Sequence, residues 1–217
     1  MSDINEVLEN MRKDYASHVL LEESADPNPF KQFEKWMNEV INGELNYLNA
    51  MTLSTVAKDG FPSSRVVLLK SFDENGFIFY TNYNSKKGTE LIDNPKASLN
   101  FFWHEFERQV QIKGTVEKTS EKDSDEYFAI RPRESQIGTW ASNQSSKLES
   151  RNYLDERVIE FQKQFEGKEI PRPPYWGGFI VKPFYFEFWQ GRPNRLHDRL
   201  AYTKENSETW KIERLSP

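Results

Sequence analysis

The chain has 217 residues, a formal net charge of −5 and no cysteine, with 36% hydrophobic and 14% aromatic residues. That length fits one domain with a sizeable core in which Phe, Tyr and Trp supply much of the volume. The acidic balance argues against a general nucleic-acid binder, and the missing thiols exclude disulfides, cysteine nucleophiles and cysteine-ligated zinc.

Taken in order, residues 4–15 carry Val7, Leu8 and Met11 at helical spacing, which predicts a short amphipathic helix. Residues 1–25 are read as a mobile N-terminal segment or lid, and 26–217 as a single domain. Asp26-Pro27-Asn28-Pro29 supplies a stop and an N-cap, after which Phe30, Phe33, Trp36, Met37, Val40 and Ile41 share one helical face up to Gly43. From Ala50 the period becomes that of strands. Strands are predicted at 51–57, 63–72 and 77–82 as a three-stranded meander turning at Lys58-Asp59-Gly60 and Asp73-Glu74-Asn75-Gly76. Within the second of these, Val66 to Leu69 are too apolar for a one-sided surface strand. A helix over 85–94, strands at 97–103 and 108–118 and a helix over 121–130 follow, the last ended by Pro132. Residues 133–147 read as a polar segment, 149–165 as a helix bearing Leu154, Val158, Ile159, Phe161 and Phe165, and 176–181, 185–190, 199–203 and 209–215 as strands with a turn at 206–208. The fold class is mainly β with peripheral helices (α+β), and the number of strands points to a barrel, which leaves no exposed edges. No apolar leader or spanning run occurs, so a cytoplasmic location is expected.

Cationic side chains gather at four places. Arg65 and Lys70 stand five residues apart on one strand and so face opposite sides. Ser85-Lys86-Lys87-Gly88 opens a helix whose free N–H groups favour a phosphate, although a Lys-Lys pair also suits a solvated helix start. Tyr127, Arg131 and Ser135 recur every four residues and can converge on one phosphate; alternatively Tyr127 is core and Arg131 caps a helix. The stretch 188–199 holds Trp189, Arg192, Arg195, His197 and Arg199 around a turn at Gly191 and Pro193. Such a turn can present guanidinium and imidazole groups to a flat anionic heteroaromatic ligand, and it also fits a solvated basic loop. Gln109 and Gln144-Ser145 could read the edge of a ring or simply be solvated. His18, His104 and His197 are scattered, so no metal site is expected, and there is no P-loop or Gly-x-Gly-x-x-Gly turn.

The ordered motifs Arg65-Val66-Val67-Leu68-Leu69-Lys70, Phe79-Tyr80-Thr81-Asn82, Glu107-Arg108-Gln109-Val110, Arg131-Pro132-Arg133-Glu134-Ser135-Gln136-Ile137-Gly138, Gln144-Ser145-Ser146, Trp176-Gly177-Gly178, Phe188-Trp189-Gln190-Gly191 and Arg195-Leu196-His197-Asp198-Arg199 resemble those of the pyridoxamine/pyridoxine 5′-phosphate oxidase family. The resemblance runs from Arg12 to Pro217 and implies an FMN-binding split β-barrel with FMN at the interface of a homodimer. It further implies oxidation of pyridoxine 5′-phosphate and pyridoxamine 5′-phosphate to pyridoxal 5′-phosphate, with O2 as acceptor and H2O2 released. Carried over by motif, Arg65, Val66, Val67, Leu68, Leu69, Lys70, Tyr80, Thr81, Ser85, Lys86, Lys87, Gln109, Gln144, Ser145, Trp189 and Arg199 would contact FMN. Lys70, Tyr127, Arg131 and Ser135 would hold the substrate phosphate. Arg195, Leu196 and His197 would position the pyridine ring, with Arg195 and His197 at the reacting centre, and Arg12 and Tyr15 would close over it. The family often has arginine where this chain has Lys86, which keeps the charge and loses the bidentate fork. Two alternatives stand beside this one: a related split-barrel flavoprotein acting on another substrate, and a non-catalytic protein that binds FMN or pyridoxal phosphate.

Overall fold

The structure, a computed structural model, describes residues 4, 5, 8, 10, 15, 18–43, 46–206 and 209–217. A nine-stranded sheet dominates it, with strand order β2-β1-β5-β6-β7-β4-β3, β8 pairing with β7 and β9 with β8. The strands are β1 (Ala50–Val56), β2 (Pro62–Leu68), β3 (Ser71–Asp73), β4 (Gly76–Asn82), β5 (Lys96–Trp103), β6 (Arg108–Lys118), β7 (Trp176–Gln190), β8 (Asp198–Lys204) and β9 (Trp210–Arg214). The helices are α1 (Pro29–Asn42), α2 (Lys86–Asp93), α3 (Glu121–Ala129), α4 (Arg133–Ala141) and α5 (Arg151–Gln164). The mainly β, α+β class expected from the sequence is therefore the one observed. The chain divides into two compact units, residues 1–48, 100–112 and 185–217 in the first and 49–99 with 113–184 in the second.

The first unit is organised on α1. Asn28 caps it by accepting from the Phe30 amide, and Pro29 supplies the fixed φ that suits a first turn. Its buried face, Phe30, Phe33, Trp36, Met37 and Val40, meets Phe101, Trp103, Phe186 and Phe188. Ile41, expected on that face, is instead exposed. It stands in the last turn, one position after the final core contact. Arg108 is buried beneath the helix, where it pairs with Glu39 at 2.6 Å, donates to Gln190 at 2.9 Å and lies 4.5 Å from the Trp36 ring centroid. Of the N-terminal helix predicted over 4–15, Ile4, Asn5, Leu8 and Asn10 are helical and Tyr15 is not, while Val7, Met11 and Arg12 lie outside the described residues.

The second unit contains two hairpins where a three-stranded meander was expected. The long strand predicted over 63–72 breaks at Leu69 and Lys70, because their amides turn to different neighbours: Leu69 donates to Asn49 at 2.8 Å and Lys70 to Ile78 at 2.9 Å. The chain thereby leaves β1, its partner through β2, and enters the β3–β4 pairing. Nor is the apolar run 66–69 buried throughout. Val66 and Leu68 are exposed and Leu69 alone is buried.

Two further expectations are corrected. The polar segment 133–147 contains helix α4, whose Gln136 donates its side-chain amide to Phe128 O at 2.8 Å and whose Ile137 and Ala141 join a core with Phe161, Phe165 and Trp176. A helix so short and so polar leaves little periodicity to read. The strands predicted at 176–181 and 185–190 are one strand, β7. Pro183 is tolerated because it falls between the residues registered with β4 and those registered with β8, where no ladder bond on that side needs its missing N–H. On α5, Phe161 is buried, Leu154 and Val158 are half-buried, and Ile159 is exposed.

Candidate functional site

Within the second unit, β2, β4, α2, α3, α4 and the start of β7 border a cleft of about 530 Å³. Among the described residues Lys70, Lys87 and Arg131 line it and no carboxylate does, which makes this lining cationic. Lys87 sits one residue into α2, behind the Ser85 side chain that caps the helix by accepting from Gly88 N. Among the described residues its ammonium donates only to neutral oxygens, Thr81 Oγ1 and Gln144 Oε1, both at 3.2 Å. Burial, with the nearby charge of Arg65 adding to it, holds the Lys87 pKa below the usual lysine value.

The opposite part of the cleft is built at the α3–α4 junction. Arg131 donates to Thr139 Oγ1 at 2.7 Å and lies 4.5 Å from the Trp176 ring centroid. Ser135, in the first turn of α4, and Tyr127, on the last turn of α3, also line the cleft. Tyr127 stacks on Tyr80 at 3.9 Å between centroids, and Trp176 lies within 14° of parallel to both rings. The fold thus gathers Lys70, Tyr127, Arg131 and Ser135 with Val66, Val67, Leu68, Tyr80, Thr81, Lys87 and Gln144 around a single cleft. A flat apolar wall between cationic donors suits a planar ligand that carries phosphate.

The first unit carries its own cluster. Trp189 and His197 are 4.6 Å apart, and Tyr15 stands edge-on to both at 5.7 Å. Asn194 and Arg195 adopt left-handed backbone, with φ of 57° and 60°, which turns the chain back so that His197 Nδ1 accepts the Arg192 amide at 3.1 Å. Burial first, and the Arg195 charge second, lower the His197 pKa. Arg199, registered opposite Trp189, is held by Glu187 at 2.8 Å and by Ser216 O at 2.7 Å. Tyr185 donates to the same Glu187, and burial with that carboxylate pushes its phenol up to about 12.

A family model described as pyridoxamine 5′-phosphate oxidase matches residues 37–165, and one described as the pyridoxine 5′-phosphate oxidase C-terminal dimerisation region matches 176–217. The chain belongs to the pyridoxamine 5′-phosphate oxidase family. A relative from Nostoc punctiforme, named pyridoxine/pyridoxamine 5′-phosphate oxidase, is 55% identical over 99% of this chain and 100% of its own length. One of the same name from Flavobacterium johnsoniae is 53% identical over 96% of this chain and 98% of its own. Among solved structures, PhzG from Burkholderia lata, in complex with tetrahydrophenazine-1-carboxylic acid, superposes with a TM-score of 0.86 at 31% identity, covering 93% of this chain and 100% of that one. A pyridoxamine 5′-phosphate oxidase-related, FMN-binding protein from Nostoc punctiforme has a TM-score of 0.70 at 15% identity over 88% and 98%, a likeness of fold. The nine-stranded sheet is accordingly that of the family's split β-barrel.

Other residues that the family pattern singles out lie elsewhere. Arg65 does not line the cleft: it pairs with buried Glu90 at 3.1 Å and donates to Thr55 at 2.5 Å. Lys86 is exposed and lies 3.9 Å from the same Glu90. Ser85 and Leu69 are buried, and Ser145 is exposed with a φ of 73°. Gln109, Trp189, Arg195, Leu196 and Arg199 fall in the first unit. Arg12 lies outside the described residues. Sequence reasoning missed Glu90, Thr139 and the role of Trp176 in the cleft. The i,i+4 spacing of Lys86 and Glu90 was a usable signal. In the sequence Trp176 stands out as the start of a strand and in the Trp176-Gly177-Gly178 motif, neither of which gives it a place in a site.

Proposed function

We propose that this protein is an FMN-dependent oxidase that converts pyridoxine 5′-phosphate and pyridoxamine 5′-phosphate to pyridoxal 5′-phosphate, with O2 as acceptor, releasing H2O2 and, from the amine, ammonia. The observation that carries the proposal is the single cleft in which Lys70, Tyr127, Arg131 and Ser135 stand with Thr81, Lys87 and Gln144 and, among the described residues, no carboxylate. FMN fits that donor set, because Lys87 is a partly desolvated cation bound, among the described residues, only to neutral oxygens, and an anion would complete it.

On this reading Lys87, Thr81 and Gln144 hold FMN, and Val66 to Leu68 supply a wall for its ring. FMN held there would supply the two-electron redox chemistry between the substrate and O2, and the residues of this chain would bind and orient what reacts with it. Arg131, Tyr127, Ser135 and Lys70 hold the substrate phosphate and so fix the distance of the reacting carbon. Arg195 and His197 orient the pyridine ring, with Trp189 and Arg199 toward the cofactor. Neutral His197, whose Nδ1 accepts the Arg192 amide, offers an N–H at Nε2. Tyr15, edge-on to Trp189 and His197, closes over the substrate together with Arg12, residues 1–25 acting as a lid on a domain of residues 26–217. The match of residues 176–217 to a dimerisation region supports a homodimer, and on this reading FMN sits at its interface and the enzyme works in the cytoplasm.

The test is an anaerobic absorbance spectrum of the FMN-loaded protein before and after pyridoxine 5′-phosphate. Bleaching of the flavin band, with recovery on admitting air, is expected. A band that persists would overturn the substrate assignment, and a protein that does not take up FMN would overturn the whole reading.

A further inference from the structure

We propose that Trp176 is a positioning residue of the cleft, whose indole face sets the Arg131 guanidinium and the Tyr127 phenol in the attitude that receives the substrate phosphate. This rests on the functional reading above and names what makes its phosphate subsite.

Arg131 makes no ion pair with a carboxylate among the described residues. Its contacts are Thr139 Oγ1 at 2.7 Å, the Trp176 ring, 4.5 Å from Cζ to centroid, and the more distant Phe128 ring at 5.7 Å. Thr139 donates its own hydroxyl proton to Ser135 O at 2.8 Å, so toward Arg131 it can only accept. The guanidinium is thereby tied at one edge to the turn that carries Ser135, and its face rests near an aromatic quadrupole. A cation desolvated without a carboxylate is held there by that quadrupole, and it keeps N–H groups free for an incoming anion.

The same indole orders the tyrosines. Trp176 is 6° from parallel to Tyr127 and 14° from Tyr80, with centroids at 6.2 and 5.5 Å. Trp176 is itself fixed, since its amide donates to Pro173 O at 3.1 Å, its carbonyl accepts from Arg172 at 2.6 Å, and Phe128 packs edge-on at 5.3 Å. An arginine side chain otherwise gives up rotamer entropy on being ordered. Ordering it before the ligand arrives moves that cost out of the binding step.

The role is separable from core filling. In the FMN-loaded protein, Trp176→Leu is expected to raise KM for pyridoxine 5′-phosphate about tenfold, the size of a lost cation–π contact, while kcat stays within about twofold. Trp176→Phe keeps a smaller face and should raise KM about threefold. Thermal unfolding records lost packing separately, and FMN stoichiometry should equal that of the wild type. Inorganic phosphate titrated calorimetrically into the FMN-loaded proteins gives a readout that does not need turnover, and its Kd should rise by the same factors. A folded, FMN-loaded Trp176→Leu protein with wild-type KM and wild-type phosphate Kd would overturn the proposal. If the leucine variant does not fold, the same criterion applies to Trp176→Phe. A wild type that fails to oxidise pyridoxine 5′-phosphate overturns the oxidase reading, and the phosphate titration then decides the role of Trp176 alone.

Discussion

The backbone amide of Arg192 donates to Nδ1 of His197 at 3.1 Å, so a neutral His197 carries its proton on Nε2. Burial and the Arg195 charge both disfavour the imidazolium. Ring 15N spectra at pH 7 should therefore show a neutral Nε2–H tautomer for His197, and an imidazolium pattern there would contradict the geometry. The sign of the stability effect follows. An unfolded histidine takes up its proton near ~6.5 and the folded one only at lower pH, so the contribution is complete above the unfolded value and is lost as pH falls through the folded one. His197→Asn should flatten the stability curve in that window.

Glu90 is buried and accepts from Thr55, Ser63 and Arg65. Burial alone would raise its pKa, but those donors outweigh it and the net shift is downward. Its contribution is thus present above the unfolded carboxylate value and is lost as pH falls through the folded one. Glu90→Gln leaves Arg65 without its counter-charge and should cost about 3 kcal/mol, read as a lower urea midpoint at unchanged slope. A midpoint that does not move would mean the pair is not formed in solution.

Gly88 lies in the first turn of α2. Alanine there would gain about 1 kcal/mol of helix propensity. Its Cβ, however, would stand 2.3 Å from the Tyr83 carbonyl oxygen and 2.7 Å from that of Asn82, both rigid backbone. Overpacking of this kind costs about 1–3 kcal/mol, so the net effect of Gly88→Ala is destabilising. A raised melting temperature would refute that balance.

Lys87 holds its charge among neutral oxygens, and Lys87→Met should weaken FMN binding by about tenfold or more, the scale of one charge-assisted hydrogen bond. Quenching of free flavin fluorescence on titration reports it directly. Affinity unchanged from the wild type would remove Lys87 from the cofactor site.

Arg214 gathers the N-terminal stretch onto the C-terminal strands. It donates to Leu20 O, to both carboxylate oxygens of Glu22 and to Asp198, while Asp198 also accepts from the Leu20 amide and from Arg192. Arg214→Ala should make residues 18–26 more open to limited proteolysis while the β-sheet survives. Equal cleavage rates for variant and wild type would show that this network does not hold the segment.

The hairpin turns, α1 and its aromatic face, and the order of most strands were legible because each rests on local chemistry: Asn28 and Pro29 at a helix start, Gly60 with positive φ, alternation along β1. What escaped depended on distant partners. The break at Leu69 and Lys70 is set by Asn49 and Ile78, and the continuity of β7 through Pro183 is set by where two neighbouring strands stop. For the cleft, Tyr127, Arg131 and Ser135 were readable at a spacing of four. Arg65 was readable as a cation and not as the partner of Glu90, since nothing within a strand says which helix will cover it.

The closed set of contacts around Glu90 also limits how this chain can vary. Replacing Arg65 alone leaves a buried carboxylate with only the exposed Lys86, 3.9 Å away, as its counter-charge, and replacing Glu90 alone leaves unpaired a guanidinium that also relies on Thr55. Neutral drift at any of these positions is therefore conditional on the others, so strand β1, strand β2 and helix α2 should exchange between relatives as a block.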